Sequence, residues 1–171
     1  MKKYVFVALG LVTAMAQAAD VSVAAAPQAA IPAARGPALE LALEAAREAI
    51  AHCAAIEQKV AVSVVDSAGV LKVLLAADGA SARGVLSGNN KAVTALTFKA
   101  ATSALAEQVK SDQELAGKFA ANPNYAARAG GLLIRVNDEV IGAIGVGGAR
   151  GSEKAAACAV AGLQKVQARL Q

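Results

Sequence analysis

Two short turns, each set between apolar runs, constrain the fold of this chain more than any other feature. Residues 60–75 contain two valine- and leucine-rich runs separated by a Ser-Ala-Gly turn. Residues 132–146 contain two more such runs, separated by Asn137-Asp138. A connection this short joins neighbouring antiparallel strands, because a parallel pair needs a long crossover. The sequence therefore predicts a sheet built from two hairpins.

Helical patterns lie before, between and after these hairpins. Apolar residues recur at helical spacing, and Pro37 suits the first turn of the first helix. The predicted helices cover residues from 37 to about 53, about 87–109, 112–120 and 152–170. The predicted fold class is therefore α+β, a mostly antiparallel sheet flanked by helices in the order α-β-β-α-α-β-β-α.

The first residues have the pattern of a secretory signal peptide. Met1-Lys2-Lys3 is followed by the apolar run 4–14, and 16–18 is a small-x-small cleavage site. We expect a signal peptide over 1–18, an Ala/Pro-rich leader over 19–36 and one domain over 37–171; an uncleaved anchor is the alternative. The expected location is periplasmic or secreted, with no membrane association after cleavage.

Charge and residue inventory exclude several classes of function. The chain has 17 basic and 13 acidic residues, and loss of Lys2 and Lys3 with the signal lowers the net charge from +4 to +2. That balance does not favour nucleic acid as a partner. The remaining single histidine and two cysteines form no cluster at metal-ligand spacing, so a metal site stays unknown.

A glycine-rich loop at 145–151 lies between the last strand and the last helix. It is not a dinucleotide fingerprint, because Arg150 occupies the sixth position of the G-x-G-x-x-G pattern. Backbone N–H groups at a helix start, with Arg150 beside them, can hold a carboxylate or phosphate. Alternatively, the glycines only allow the strand to turn into the helix.

Four stretches in order resemble the GlcG/HbpS-like family of haem-degrading or haem-binding domains. They are residues 60–69 with an Asp-x-x-Gly turn, the Asp-Gly-Ala at 78–80 with the Lys-Ala-x-Thr-Ala motif at 91–95, residues 130–131 leading to 141–146, and residues 161–163. The resemblance covers about residues 39–170. It implies a profilin/roadblock-like fold, a homo-oligomer and a small-molecule ligand, with haem as a possible cofactor.

The resemblance also implies a set of ligand-binding residues. Lys91 and Thr94 share one helix face, and beside Asp78 they could hold a haem propionate or a small hydroxy acid. Alternatively, Lys91 pairs with a carboxylate and Thr94 bonds to its own helix backbone. The chain departs from the family at 75–77, where an Arg-Met pair is usual, at Gly147, where the family has serine, and near Ala155, where it has aspartate.

Two further candidate ligand-binding residues also have purely structural interpretations. His52 is the one strong axial ligand for haem left after signal cleavage. It lies on a stripe of glutamates, however, so an ion pair with Glu48 is the competing interpretation. Tyr125 beside Arg128 is either a ligand-facing loop pair or simply a packed tyrosine.

Cys53 and Cys158 are expected to form a disulfide. Both cysteines lie on the apolar stripe of their helices, their number is even, and the expected compartment is oxidising. The pairing also requires that the two helices lie together, as the family fold implies. The alternative is two buried free thiols.

Together these features predict an exported haem- or small-carboxylate-binding protein that acts as a homo-oligomer. Two alternatives remain open: an enzyme acting on a small hydroxy acid or haem, and a non-catalytic structural oligomer. No catalytic residue is assigned, because the sequence offers no nucleophile–base pair.

Overall fold

The structure, a computed structural model, describes residues 34–171. The predicted signal peptide and the first part of the predicted leader, 19–33, lie outside the described residues. The elements are α1 Leu39–Ala55, β1 Ala61–Asp66, β2 Leu71–Ala76, α2 Ala82–Phe98, α3 Thr102–Gln108, α4 Gln113–Ala121, β3 Gly131–Val136, β4 Glu139–Gly147, α5 Ser152–Val166 and a final 3-10 turn, Gln167–Arg169.

The two predicted hairpins are confirmed and build one antiparallel sheet. The strand order is β2-β1-β4-β3, so each hairpin contributes one central and one edge strand. The central strands β1 and β4 pair antiparallel, with Val64 opposite Ile144. Both turns use left-handed backbone, at Gly69 and at Asn137, the residue types that adopt it most readily. The predicted α+β class and element order therefore hold.

The predicted helix over 87–109 is two helices, and the first starts earlier than expected. α2 begins after Ser81, whose side chain accepts a hydrogen bond from the Gly84 amide at 3.0 Å. α2 ends at Lys99, which is left-handed at φ 52°, and the Ala100 amide bonds back to the Ala95 carbonyl. This is a Schellman-type ending without its usual glycine, so the sequence carried no signal for it.

Helices cover both faces of the sheet. α1 and α5 bury their alanine-rich faces against one side of β1 and β4, and α2 packs on the other side. α2 can approach the sheet closely because Gly88 has no side chain. A Cβ at this position would lie only 3.0 Å from the Ala61 carbonyl oxygen. Lys91, one turn further along α2, is thereby held close to the end of β4.

A disulfide joins the two helices on the first face. Cys53 of α1 and Cys158 of α5 are fully buried, and their Cα atoms are 5.5 Å apart. This separation lies within the usual range for a disulfide.

Across residues 34–171, no helix combines the length and apolar character needed to cross a bilayer.

Candidate anion-binding cleft

A polar cleft of about 310 Å³ opens where two helices begin. Ser81 and Gly84 line it at the start of α2, and Gly151 and Ser152 line it at the start of α5. Because the N-terminal end of a helix carries partial positive charge and free N–H groups, two such ends facing one space favour an anion there. Gly151 has no side chain that could accept from the first N–H groups of α5.

Three basic side chains line the same cleft. They are Arg83, Lys91 and Arg128, and no acidic residue is among the described residues that line it. None of the three takes part in any of the ion pairs found within residues 34–171. The described lining therefore carries net positive charge from its side chains as well as from helix ends, while the Glu153 carboxylate lies next to Gly151, where a Cβ would be 3.3 Å from Oε2.

Lys91 is the buried member of this group. Only 5% of the residue is exposed, and its Nζ donates a hydrogen bond to the carbonyl oxygen of Val146 at 2.9 Å. Burial, and secondarily the nearby charge of Arg128, lower the pKa of Lys91 to about 8. Gly130 leaves the space that the ammonium group occupies, since a Cβ there would lie 3.0 Å from Nζ.

The structure separates the residues that sequence analysis grouped together. Lys91 lines the cleft, whereas Thr94, on the same helix, is fully buried beneath the surface. The Thr94 hydroxyl accepts a hydrogen bond from the Ala126 amide at 2.9 Å. It thus bonds to the segment before β3, a partner that neither sequence interpretation anticipated.

Arg150 and Asp78 lie on neighbouring hollows rather than in the cleft itself. Arg150 lines a hollow of about 490 Å³ that shares Ser81 and Gly148 with the cleft. Its backbone N–H is already taken by the side-chain oxygen of Gln58, at 2.7 Å. Asp78 lines a third hollow that shares residues with the second but none with the cleft.

Sequence reasoning missed Arg83 and paired Arg128 only with Tyr125. Arg83 lies in the first turn of α2, and Arg128 lies 45 positions later in the loop before β3. No local pattern distinguishes these arginines from solvated ones. Only the packing of α2 beside that loop brings them to one cleft.

The remaining candidates, His52 and Tyr125, lie outside the cleft. His52 is exposed in the last turn of α1, and the nearby Glu48 is 4.0 Å from the Lys165 ammonium. Tyr125 packs its ring on Phe98 and Phe119, with centroids 5.1 and 5.8 Å away. Among residues 34–171, no group of three histidines, cysteines or acids could hold a metal ion.

Comparison with known proteins finds one matching family profile and several solved structures with the same fold. The sequence profile described as haem degrading protein HbpS-like matches residues 38–164. No functionally curated relative matches the sequence. A double mutant of HbpS from Streptomyces reticuli is 32% identical, with a TM-score of 0.71 over 84% of this chain and 98% of that chain.

Two further solved structures share the fold. The protein ORFY from Klebsiella pneumoniae is 26% identical, with a TM-score of 0.73 over 85% of this chain and 100% of that one. A PduOC–haem complex is 22% identical, with a TM-score of 0.70 over 75% of this chain and 94% of that chain. At that identity the PduOC similarity carries the fold alone.

Proposed function

Because the chain belongs to the HbpS-like family of haem-degrading proteins, we propose that it is an exported, homo-oligomeric protein that binds a small carboxylated molecule. The observation that carries the proposal is the set of three basic side chains in a cleft whose described lining has no acid. Anions gain most where positive charge is already in place and unpaired, because binding then costs little reorganisation.

Each basic residue has a distinct part in holding a carboxylate. Arg83 and Arg128 present planar guanidinium groups, which match the two oxygens of a carboxylate. Lys91 adds a point charge from the floor of the cleft, fixed by its hydrogen bond to Val146. The first N–H groups of α5 complete the donor set.

Haem meets only part of this description. Its propionates suit the cleft, and a haem complex is among the relatives of the same fold. The described lining residues include no histidine, cysteine or methionine for the iron, and both cysteines are held in the disulfide. We therefore propose that the cleft binds carboxylate groups and that its lining residues do not coordinate iron.

Titration of purified protein with carboxylates tests the proposal. We expect Arg128→Gln to weaken binding at least tenfold, because it removes a charge-assisted hydrogen bond from the cleft. Arg47→Gln is the matched control, since Arg47 is an exposed arginine on α1, away from the cleft. Equal affinities in the two variants would exclude the cleft as the binding site.

Haem is tested separately by its Soret band. A stoichiometric shift that Arg128→Gln reduces and Arg47→Gln leaves intact would make haem the ligand. If stoichiometric haem gives no shift while small carboxylates bind, haem is excluded and the carboxylate proposal stands.

Export and assembly have their own measurements. Intact mass of the periplasmic or secreted protein is expected to correspond to cleavage after Ala18 or Ala19. Light scattering at micromolar concentration is expected to give a multiple of the chain mass. A full-length cellular form or a monomeric mass would overturn the respective part of the proposal.

A further inference from the structure

A second groove runs directly beside the cationic cleft and differs from it in character. It has a volume of about 440 Å³ and lies between α2 and the segment that precedes β3. Its walls include Leu86 and Asn90 of α2 and Pro123, Tyr125 and Ala127 of the segment. Apolar and aromatic groups thus form much of this surface, whereas polar and charged residues dominate the cleft.

The groove and the cleft are continuous. Arg83, Ser87 and Arg128 line both spaces, so the two arginines stand at the boundary between them. A ligand whose carboxylate lies between these arginines therefore has an apolar surface next to the rest of its body.

Leu86 is the most exposed large apolar side chain in the described part of the chain. It lies in the first half of α2, 65% of it is exposed, and it faces this groove. In the groove Leu86 stands beside the partly buried Tyr125, and an apolar wall with a few fixed polar groups is typical of a ligand site.

The opposite wall of the groove is anchored rather than free. The buried Thr94 hydroxyl accepts from the Ala126 amide, which fixes the segment to α2 at the level of the groove. Tyr125 is held by ring packing against Phe98 and Phe119. The groove is therefore a preformed surface, and ligand binding loses little conformational entropy in ordering it.

We propose that the ligand is an amphipathic carboxylate, whose anionic head is held by Arg83, Arg128 and Lys91 and whose apolar body lies in the groove against Leu86 and Tyr125. This inference rests on the proposed function and adds the class of ligand to it. The occupant follows from charge complementarity at one end and apolar surface at the other.

A homologous series of straight-chain carboxylates from propionate to octanoate tests the inference. Burial of each CH₂ group in the groove is expected to tighten binding about fourfold until the groove is filled. Alkylamines of equal length serve as head-group controls and are expected not to bind. Amide chemical shifts of Ala126 and Ala127 are expected to move with hexanoate and not with propionate.

Leu86→Gln is the diagnostic variant, and Leu71→Gln is its matched control. Leu71 is also exposed, at 47%, but lies on the edge strand β2 and not in the groove. Leu86→Gln is expected to abolish most of the gain in affinity with chain length, while Leu71→Gln behaves as the wild type. Light scattering checks that both variants keep the wild-type mass.

The outcomes separate this inference from the proposed function. Either of two results would show that the groove is not part of the site. In the first, propionate binds but longer chains bind no more tightly. In the second, Leu86→Gln keeps the full gain in affinity with chain length, and the amide chemical shifts of Ala126 and Ala127 do not move. The proposed function would then stand alone. If no carboxylate of any length binds, both proposals fail.

Discussion

The ammonium group of Lys91 lies 2.9 Å from the carbonyl oxygen of Val146, so the last strand holds the one buried charge of the cleft in place. Val146 belongs to a central strand, and its own amide bonds to the Gly130 carbonyl at 2.8 Å. The Lys91 side chain is therefore held in the cleft by the sheet and does not form an ion pair with a surface carboxylate of the described chain. The cost of burying this charge appears in its lowered pKa.

We expect carboxylate binding to weaken above pH 8. The pKa of Lys91 in the free protein is lowered to about 8, so rising pH removes its charge from the cleft while the arginines stay charged. The dissociation constant is expected to be flat near pH 7 and to increase about tenfold by pH 10, as a charge-assisted hydrogen bond is lost. Calorimetric titrations across that range measure it.

Lys91→Met supplies the control for this pH dependence. The variant is expected to bind weakly at every pH, with no transition near pH 8. A transition that persists in Lys91→Met would assign the titration to another group.

We expect Lys91→Met also to make the fold more stable at pH 7. A lysine whose folded pKa is lowered below its unfolded value of 10.5 destabilises the charged folded state. Removing the charge is expected to raise the free energy of unfolding by about 2 kcal/mol, after allowing for the Val146 carbonyl left without its donor. Urea denaturation at pH 7 measures the difference.

The same linkage predicts how that difference changes with pH. Wild-type stability is expected to rise between pH 8 and 10.5, where the unfolded chain still binds the proton and the folded chain does not. The gap between Lys91→Met and the wild type should therefore shrink over this window. A gap that stays constant with pH would contradict the assignment of the penalty to the buried charge.

Thr94→Val is expected to destabilise the protein and to loosen the groove wall. The substitution keeps the shape but removes the oxygen that accepts from the Ala126 amide, leaving a partly buried N–H unpaired. The expected loss is about 1–3 kcal/mol in denaturant unfolding. Thr94→Ser keeps the oxygen and is expected to lose less; equal losses would mean that the methyl group, and not the hydrogen bond, matters.

The Cys53–Cys158 bond is expected to be present in protein purified without a reducing agent. Thiol titration of unfolded, unreduced protein should find no free thiol, and two thiols per chain would contradict the bond. Replacing both cysteines with alanine is expected to lower the free energy of unfolding by about 2–5 kcal/mol, because the bond closes a loop across 105 residues.

Local signals predicted the parts of the fold that depend on neighbouring residues. The hairpin turns at Gly69 and Asn137 each need one residue of left-handed backbone, and the apolar runs beside them form the strands. The motif stretches likewise identified the family, which the match over residues 38–164 confirms. Lys91 entered the candidate site through that resemblance, and it lines the cleft.

The sequence by itself determined the antiparallel hairpins and the family, because each depends on residues close together along the chain or on an ordered motif. Only the tertiary structure decided that Arg83 and Arg128 share a cleft with Lys91, that Thr94 supports the groove wall, and that Lys99 ends α2. These relationships arise from the close packing of α2 on the sheet and against the loop before β3. The spacing of charged residues along the sequence does not reveal which of them come together in the folded protein.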